Sequence, residues 1–172
     1  TKAIFLFLFA SDIPKSKFII STRNGPATIS SLLNRTGNLN IARDRYRDDS
    51  IMSLRQKNCK DVFFSKHEDL LDQTPNHFEK IMDFLELDYE PSMMDYWKKP
   101  IQWNLKSSIN DTNPTKHDLK RNEQINKPIN KKVSDWRSTI PVKYHNEIAS
   151  YFSSEQEGEK IMLEFGYQKP FF

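Results

Sequence analysis

The chain has 172 residues, 37% of them hydrophobic and 12% aromatic, which is enough for one compact domain, and 1–172 is read as a single domain. Lys/Arg and Asp/Glu are interspersed and nearly balanced, with a net charge of +3, so wholesale nucleic-acid binding is not indicated and any anion site has to be local. A single cysteine, Cys59, excludes an internal disulfide framework and a cysteine-rich metal site.

In chain order, the apolar run Ile4–Ala10 is far short of the ~20 residues that span a bilayer, and it lacks the flanks of a signal peptide; it reads as core. Because the sequence opens on Thr1 and enters that run almost at once, a preceding segment is expected. Lys17–Thr22 is β-branched and leads into the turn Asn24-Gly25-Pro26, with proline where a helix can begin. Ile29, Leu32 and Leu33 then recur at helical spacing. A second strand is expected at Val62–Phe64. After it, Thr74-Pro75 reads as the cap of a helix whose Phe78, Ile81, Met82 and Leu85 share one face. Two further helices are expected at 142–152 and 155–165, the latter stopped by Gly166. Residues 101–132 are rich in Asn, Lys, Ser and Asp with little periodicity and read as a long loop. Strands alternating with helices predict an α/β layer with a parallel sheet, although two strands alone would leave such a sheet poorly covered.

Two constellations carry chemistry. If a helix starts near Pro26, Arg23 lies at the carboxyl end of the first strand, where open α/β sheets bind ligands, and Ser31 and Arg35 lie four apart on one helix face. Two guanidinium forks and a hydroxyl suit a phosphate monoester. The same spacing is met by solvated surface arginines, and spacing alone does not separate the two. The second is Lys116–Lys132, with six Lys/Arg against two acidic residues, a surplus larger than the charge of the whole chain. Such a segment can close over a polyanion or remain a disordered basic loop. Trp136 just beyond it is a candidate anchor to the core. Without interleaved aromatics, nucleic acid is not expected as a partner. His67, His77, His117 and His145 are scattered and read as surface or structural, and no metal site is expected.

Ile13-Pro14-Lys15-Ser16-Lys17-Phe18-Ile19-Ile20-Ser21-Thr22-Arg23-Asn24-Gly25 resembles the sulfotransferase segment in which a strand delivers an Arg-Asp-Gly or Arg-Asp-Pro turn. Arg23, Ser31 and Arg35 match the set with which that family holds the 3′-phosphate of 3′-phosphoadenosine 5′-phosphosulfate (PAPS). His67-Glu68-Asp69-Leu70 and Ile81–Pro91 resemble the family's Y-E-D-L and F-L-x-L-x-Y-x-P stretches, with His67 where the family has a tyrosine beside PAPS. Glu123–Asn130, Trp136, Ile140-Pro141 and Phe165-Gly166-Tyr167 are most similar to the tyrosylprotein sulfotransferase branch, where a D-Q-V-I-K-P-V-N loop wraps the donor.

The resemblance implies a P-loop-NTPase-like sulfotransferase fold, a parallel sheet flanked by helices, with 101–132 as the donor-wrapping loop. It implies PAPS as co-substrate and, as PAPS-binding residues, Arg23, Ser31, Arg35, Gln124, Lys127, Pro128, Asn130 and Lys131. It also implies a tyrosine-bearing protein or peptide as acceptor, a homodimer among its partners, and residence in the Golgi lumen through an upstream anchor, with the cytoplasm as the alternative. There are departures. Thr1–Thr22 holds no Gly/Ser/Thr-rich phosphosulfate loop, so the first strand and that loop are expected to be missing from this chain. The family's glutamate base is also expected upstream, and no catalytic residue is assigned within this chain, which is expected to be inactive alone. Arg121 stands where a serine is expected and Asp135 where a lysine is, unless a gap brings Lys131 or Lys132 into that role. The stretch between Tyr46 and His67 looks about ten residues short by comparison with the resemblance. Sequons occur at Asn34 and Asn110. A carbohydrate or small-molecule sulfotransferase, a non-catalytic nucleotide-binding relative and a basic interaction domain are the other readings.

Overall fold

The computed structural model describes residues 16–99, 116–129, 135–153 and 155–169. Packing divides the chain into two compact units, one joining 1–70 to 133–172 and the other comprising 71–132.

In the first unit, β1 (Phe18–Thr22) and β2 (Val62–Lys66) pair in parallel, Phe18 opposite Val62 and Thr22 opposite Lys66. The period-two alternation of a strand buries Ile20 and Thr22 and leaves Ile19 and Ser21 exposed. Helix α1 (Gly25–Thr36) begins where expected. The Asn24 side chain accepts the Ala27 N–H, and Pro26 occupies a first-turn position that needs no donor. Gly37, at φ 67°, ends it by donating its N–H to the Leu33 carbonyl at 2.8 Å.

Helix α2 (Leu39–Leu54) has no counterpart in the sequence reading. It buries Leu39, Ala42, Tyr46 and Ser50 at spacings of three, four and four, a true helical stripe. Two of its four members are small and one is a tyrosine, so the stripe carries little apolar weight and periodicity in hydrophobicity does not reveal it. Asn38 caps it through the Ile41 N–H at 3.2 Å.

The C-terminal third packs back onto α1 and α2. Turns of 3-10 helix at Trp136–Thr139 and Val142–Tyr144 lead into the helix at His145–Tyr151, and a last helix spans Glu157–Glu164. Both are shorter than the expected 142–152 and 155–165. Phe152 leaves helical geometry, and Glu155 adopts a left-handed φ of 65°. Ala27, Ile29, Leu33, Ala42, Tyr46, Trp136, Ile148, Phe152 and Met162 form one buried cluster, each large apolar member contributing about 1.5–3 kcal/mol.

Helix α3 (His67–Asp72) follows β2 and begins in the first unit, which holds His67–Leu70; in the second unit comes α4 (Thr74–Leu85). Thr74 is not the cap expected of it. Gln73 occupies the cap position without a side-chain bond, and Thr74 is the first helical residue, its hydroxyl donating to the Leu71 carbonyl at 3.4 Å. Of the four residues expected on one apolar face, Ile81 is buried and Phe78, Met82 and Leu85 are half-buried. A 3-10 segment at Pro91–Lys98 precedes α5 (Lys116–Ile125). The expectation of a loop over 116–132 is thereby corrected for its first ten residues. The helix is polar nearly all round, so it has no apolar stripe to announce it, and Lys127 just past its end pairs with Glu123 one turn earlier. We label the C-terminal helices α6 (His145–Tyr151) and α7 (Glu157–Glu164). The described residues form an α/β fold with two parallel strands flanked by helices.

Candidate functional site

Arg23 follows the last residue of β1 and precedes the cap of α1, so it stands at the carboxyl edge of the strand pair beside a helix N-terminus. The turn that carries it is fixed by partners far away in sequence. The Asn24 N–H donates to Glu68 Oε1 at 2.9 Å, and the Gly25 N–H donates to Met162 Sδ at 3.1 Å. Ser31 and Arg35 lie one turn apart on α1, and both line the same cleft as Arg23, a cavity of about 510 Å³. Across it, α2 presents Tyr46, Asp49, Ser50 and Ser53, and Phe165 forms part of the wall. Burial is the main cause that pushes the Tyr46 phenol well above its ordinary value, so it stays a neutral hydroxyl.

The electrostatics separate these two arginines from their neighbours. On α2, Arg43 pairs with Glu147 at 3.0 Å, Arg45 with Asp49 at 3.9 Å, and Arg47 with Asp44 and Asp48 at 3.1 and 3.0 Å. Among the described residues, Arg23 and Arg35 enter no ion pair. Two guanidinium groups without carboxylate partners, in a cleft with a hydroxyl, leave their donors available to an incoming anion.

A smaller pocket of about 170 Å³ shares Arg23 and Ser31 and adds Ser30, Asn34, Trp136 and Thr139. Its floor is ordered by short hydrogen bonds. Ser30 and Thr139 share a 2.6 Å bond, Thr139 donates to the Trp136 carbonyl at 2.7 Å, and the Asn34 amide donates to the Thr139 carbonyl at 3.1 Å. Trp136 is the core anchor expected of it, 6% exposed and met edge-on by His145, with the Arg137 guanidinium 4.5 Å from its ring centre. Its indole Nε1–H is buried and has no hydrogen-bond partner among the described residues. Nothing in the sequence separates that second property from the first; its signal is only the place of Trp136 behind the basic segment. His145 Nε2 faces the carbonyls of Arg137 and Ile140 at 3.0 and 3.3 Å, a structural role.

The structure therefore brings Arg23, Ser31 and Arg35 to one cleft. Gln124, Lys127 and Pro128 belong to the second unit. There Gln124 lies in the last turn of α5, the Lys127 carbonyl accepts the Tyr96 hydroxyl at 2.7 Å, and the Lys127 ammonium holds the Glu123 carboxyl below its usual range. Asn130 and Lys131 lie outside the described residues. Among the described residues no three His, Cys, Asp or Glu side chains cluster closely enough to hold a metal.

A family model for the sulfotransferase domain matches residues 17–162. A sequence comparison with curated proteins gives no match. The matched span holds both strands, the arginine turn, α1 and most of the C-terminal packing, and two parallel strands flanked by helices are consistent with a P-loop-like sulfotransferase fold. The chain belongs to the sulfotransferase family, transferases that move a sulfuryl group from a donor, generally PAPS, to an acceptor.

Proposed function

We propose that the chain binds PAPS with its 3′-phosphate between Arg23, Ser31 and Arg35, in the service of sulfuryl transfer to tyrosine hydroxyls of proteins. The observation that carries the donor part is the pair of arginines without carboxylate partners in a cleft of about 510 Å³, facing a helix, α2, whose Arg43, Arg45 and Arg47 are each paired with a carboxylate. In the transfer, the acceptor oxygen attacks sulfur in line, the bond from sulfur to the bridging phosphate oxygen breaks, a base takes the hydroxyl proton, and adenosine 3′,5′-bisphosphate leaves. The residues described here contribute the grip on the leaving nucleotide. The tyrosine acceptor is supported by the likeness of Gln124, Lys127, Pro128 and Asn130 to the donor-wrapping loop of the tyrosylprotein branch, and a Golgi lumen placement goes with that branch. In such a lumen a glycan on Asn34, which lines the smaller pocket together with Arg23 and Ser31, would clash with the phosphate reading, so Asn34 is expected to stay unglycosylated.

Calorimetric titration with adenosine 3′,5′-bisphosphate, against adenosine 5′-monophosphate, tests the donor site. Removing a charged partner of a phosphate costs about 1.5–3 kcal/mol, so Arg23→Ala is expected to weaken bisphosphate binding about 10- to 150-fold, and Ser31→Ala about tenfold or less. Monophosphate binding is expected to be weak and insensitive to both. Equal affinity of folded wild type and Arg23→Ala for the bisphosphate would sink the assignment. A single-tyrosine peptide is expected to bind the bisphosphate-loaded chain more tightly than its phenylalanine counterpart; binding confined to carbohydrate overturns the acceptor.

A further inference from the structure

We propose that Glu68 is a positioning residue for the phosphate-binding turn, locked in place by the C-terminal segment Phe165-Gly166-Tyr167 acting as a latch. The proposal rests on the reading that Arg23 binds the donor's phosphate and adds the device that holds Arg23 where it must be.

Glu68 lies in the first turn of α3, immediately beyond the carboxyl end of β2. Its two carboxylate oxygens divide their work. Oε1 accepts the backbone N–H of Asn24, the residue next to Arg23, at 2.9 Å, and Oε2 accepts the Tyr167 hydroxyl at 2.8 Å. One carboxylate thus joins the turn after β1, the turn after β2 and the C-terminal tail. Burial first, and acceptance by Glu68 second, raise the Tyr167 phenol far above its ordinary value, so it remains a donor to that carboxylate.

The tail is held independently at three more points. The Lys66 ammonium donates to the Gly166 carbonyl at 2.7 Å and lies 4.9 Å from the Tyr167 ring centre. The Tyr167 N–H donates to the Met162 carbonyl at 3.0 Å, and the Met162 sulfur accepts the Gly25 N–H. Consequently the C-terminal segment reaches both residues after Arg23, Asn24 through Glu68 and Gly25 through Met162. Gly166 makes the sharp bend at φ 76°, a left-handed conformation that strains a residue with a Cβ. Phe165, packed against Phe64 with ring centres 6.0 Å apart, forms part of the wall of the cleft that Arg23, Ser31 and Arg35 line. A guanidinium can fork onto a phosphate only if the backbone beneath it has one position. Releasing the Asn24 N–H gives the turn alternatives, and binding then has to select among them.

The test uses the whole chain and four proteins: wild type, Glu68→Ala, Glu68→Gln and Tyr167→Phe. Two quantities are read below the melting temperature of each, the dissociation constant for adenosine 3′,5′-bisphosphate and the hydrogen-exchange protection of the Asn24 amide. Glu68→Ala is expected to weaken binding about tenfold and to expose the Asn24 amide, and Tyr167→Phe to do both to a smaller degree. Glu68→Gln is expected to rescue, with binding within about threefold of wild type, because its amide oxygen accepts the Asn24 N–H while its NH₂ turns to the Tyr167 oxygen. A purely structural Glu68 would lower the melting temperature of Glu68→Ala and leave the dissociation constant of the folded fraction at the wild-type value; that outcome overturns the latch. Glu68→Gln as weak as Glu68→Ala also overturns it. If the wild type itself fails to bind, the phosphate reading falls and takes the positioning role with it, whereas a wild type that binds beside an unaffected Glu68→Ala removes the latch alone.

Discussion

Gly25→Ala puts the link between core and phosphate turn under the most direct strain. A Cβ built on Gly25 lies 2.5 Å from Phe152 Cζ and 2.8 Å from the Tyr46 hydroxyl oxygen, and Phe152 is only 2% exposed, so its ring has nowhere to go. Gly25 is not among the positive-φ glycines, so the demand at this position is for space. Two effects compete. Restricting the unfolded chain by replacing glycine with alanine returns about 0.4–1 kcal/mol, whereas forcing a methyl group into a packed core costs about 1–3 kcal/mol. The steric loss wins, leaving a net destabilisation of about 1–2 kcal/mol. At about 2–4 °C per kcal/mol for a chain of this size, the melting temperature falls by about 2–8 °C. Calorimetric melting of Gly25→Ala, Phe152→Leu and the double variant isolates the cause. If the clash is with the ring, shortening Phe152 costs less in the Gly25→Ala background than alone, with a coupling of about 1 kcal/mol or more. Gly25→Ala as stable as wild type, or strictly additive effects, refutes the reasoning.

The remaining predictions concern ionisable groups. Burial first, then Glu157, pushes the Tyr151 phenol up to about 12, against about 10 in the unfolded chain. The native state therefore keeps this proton longer. The associated stability is whole below pH 10 and is lost as pH rises from there toward 12, damped by the phenol's partial exposure. Urea midpoints measured from about pH 8 to 11.5 should fall less steeply for Tyr151→Phe than for wild type, and identical slopes would count against the assignment. Glu159, 3% exposed, accepts the Glu155 N–H and is paired with Lys169. Lys169→Met strands that carboxylate and should cost about 1–3 kcal/mol in a denaturant titration, while Lys169→Arg should cost little; an unchanged midpoint in Lys169→Met would show that the pair contributes nothing.

What could be read in the sequence follows from what each element uses to hold itself. The β1 turn and α1 announce themselves because their signals are local: β-branched residues, an Asn cap, a first-turn proline and a closing glycine all lie within Phe18–Gly37. The three candidate residues fall inside that same stretch, so spacing could place Arg23, Ser31 and Arg35 near one another, but only the family resemblance singled them out, and the unpaired state of the two arginines became visible only in three dimensions. Helix α2 stayed hidden because Ala42, Tyr46 and Ser50 pack by size and shape with little apolar contrast, and α5 because it is polar nearly all round. The pocket beside Trp136 was illegible for a different reason. Ser30 and Thr139 are separated by 109 residues, and no local pattern encodes their meeting.

The same long-range logic explains why the C-terminal third belongs to a site built on the N-terminal strand. A single turn of three residues cannot order a guanidinium by itself, because each fixed backbone residue costs about 1–2 kcal/mol of conformational entropy. Here that cost is offset by partners drawn from three later elements: Glu68 after β2, Met162 in α7, and Phe152 just beyond α6, whose ring closes over Gly25. Trp136 adds a fourth on the other flank, its carbonyl accepting the Ser30 hydroxyl of α1 at 3.3 Å. Ser30, Phe152 and Met162 are all at most 2% exposed, so these ties lie in the driest part of the unit, where a hydrogen bond or a packed ring tolerates least movement. Substitutions at positions 136, 152 and 162, none of which lines the larger cleft, should therefore alter nucleotide affinity in molecules that remain folded. The direction follows from geometry: whatever loosens the Asn24-Gly25 backbone spreads Arg23 over more positions and weakens its grip on a phosphate.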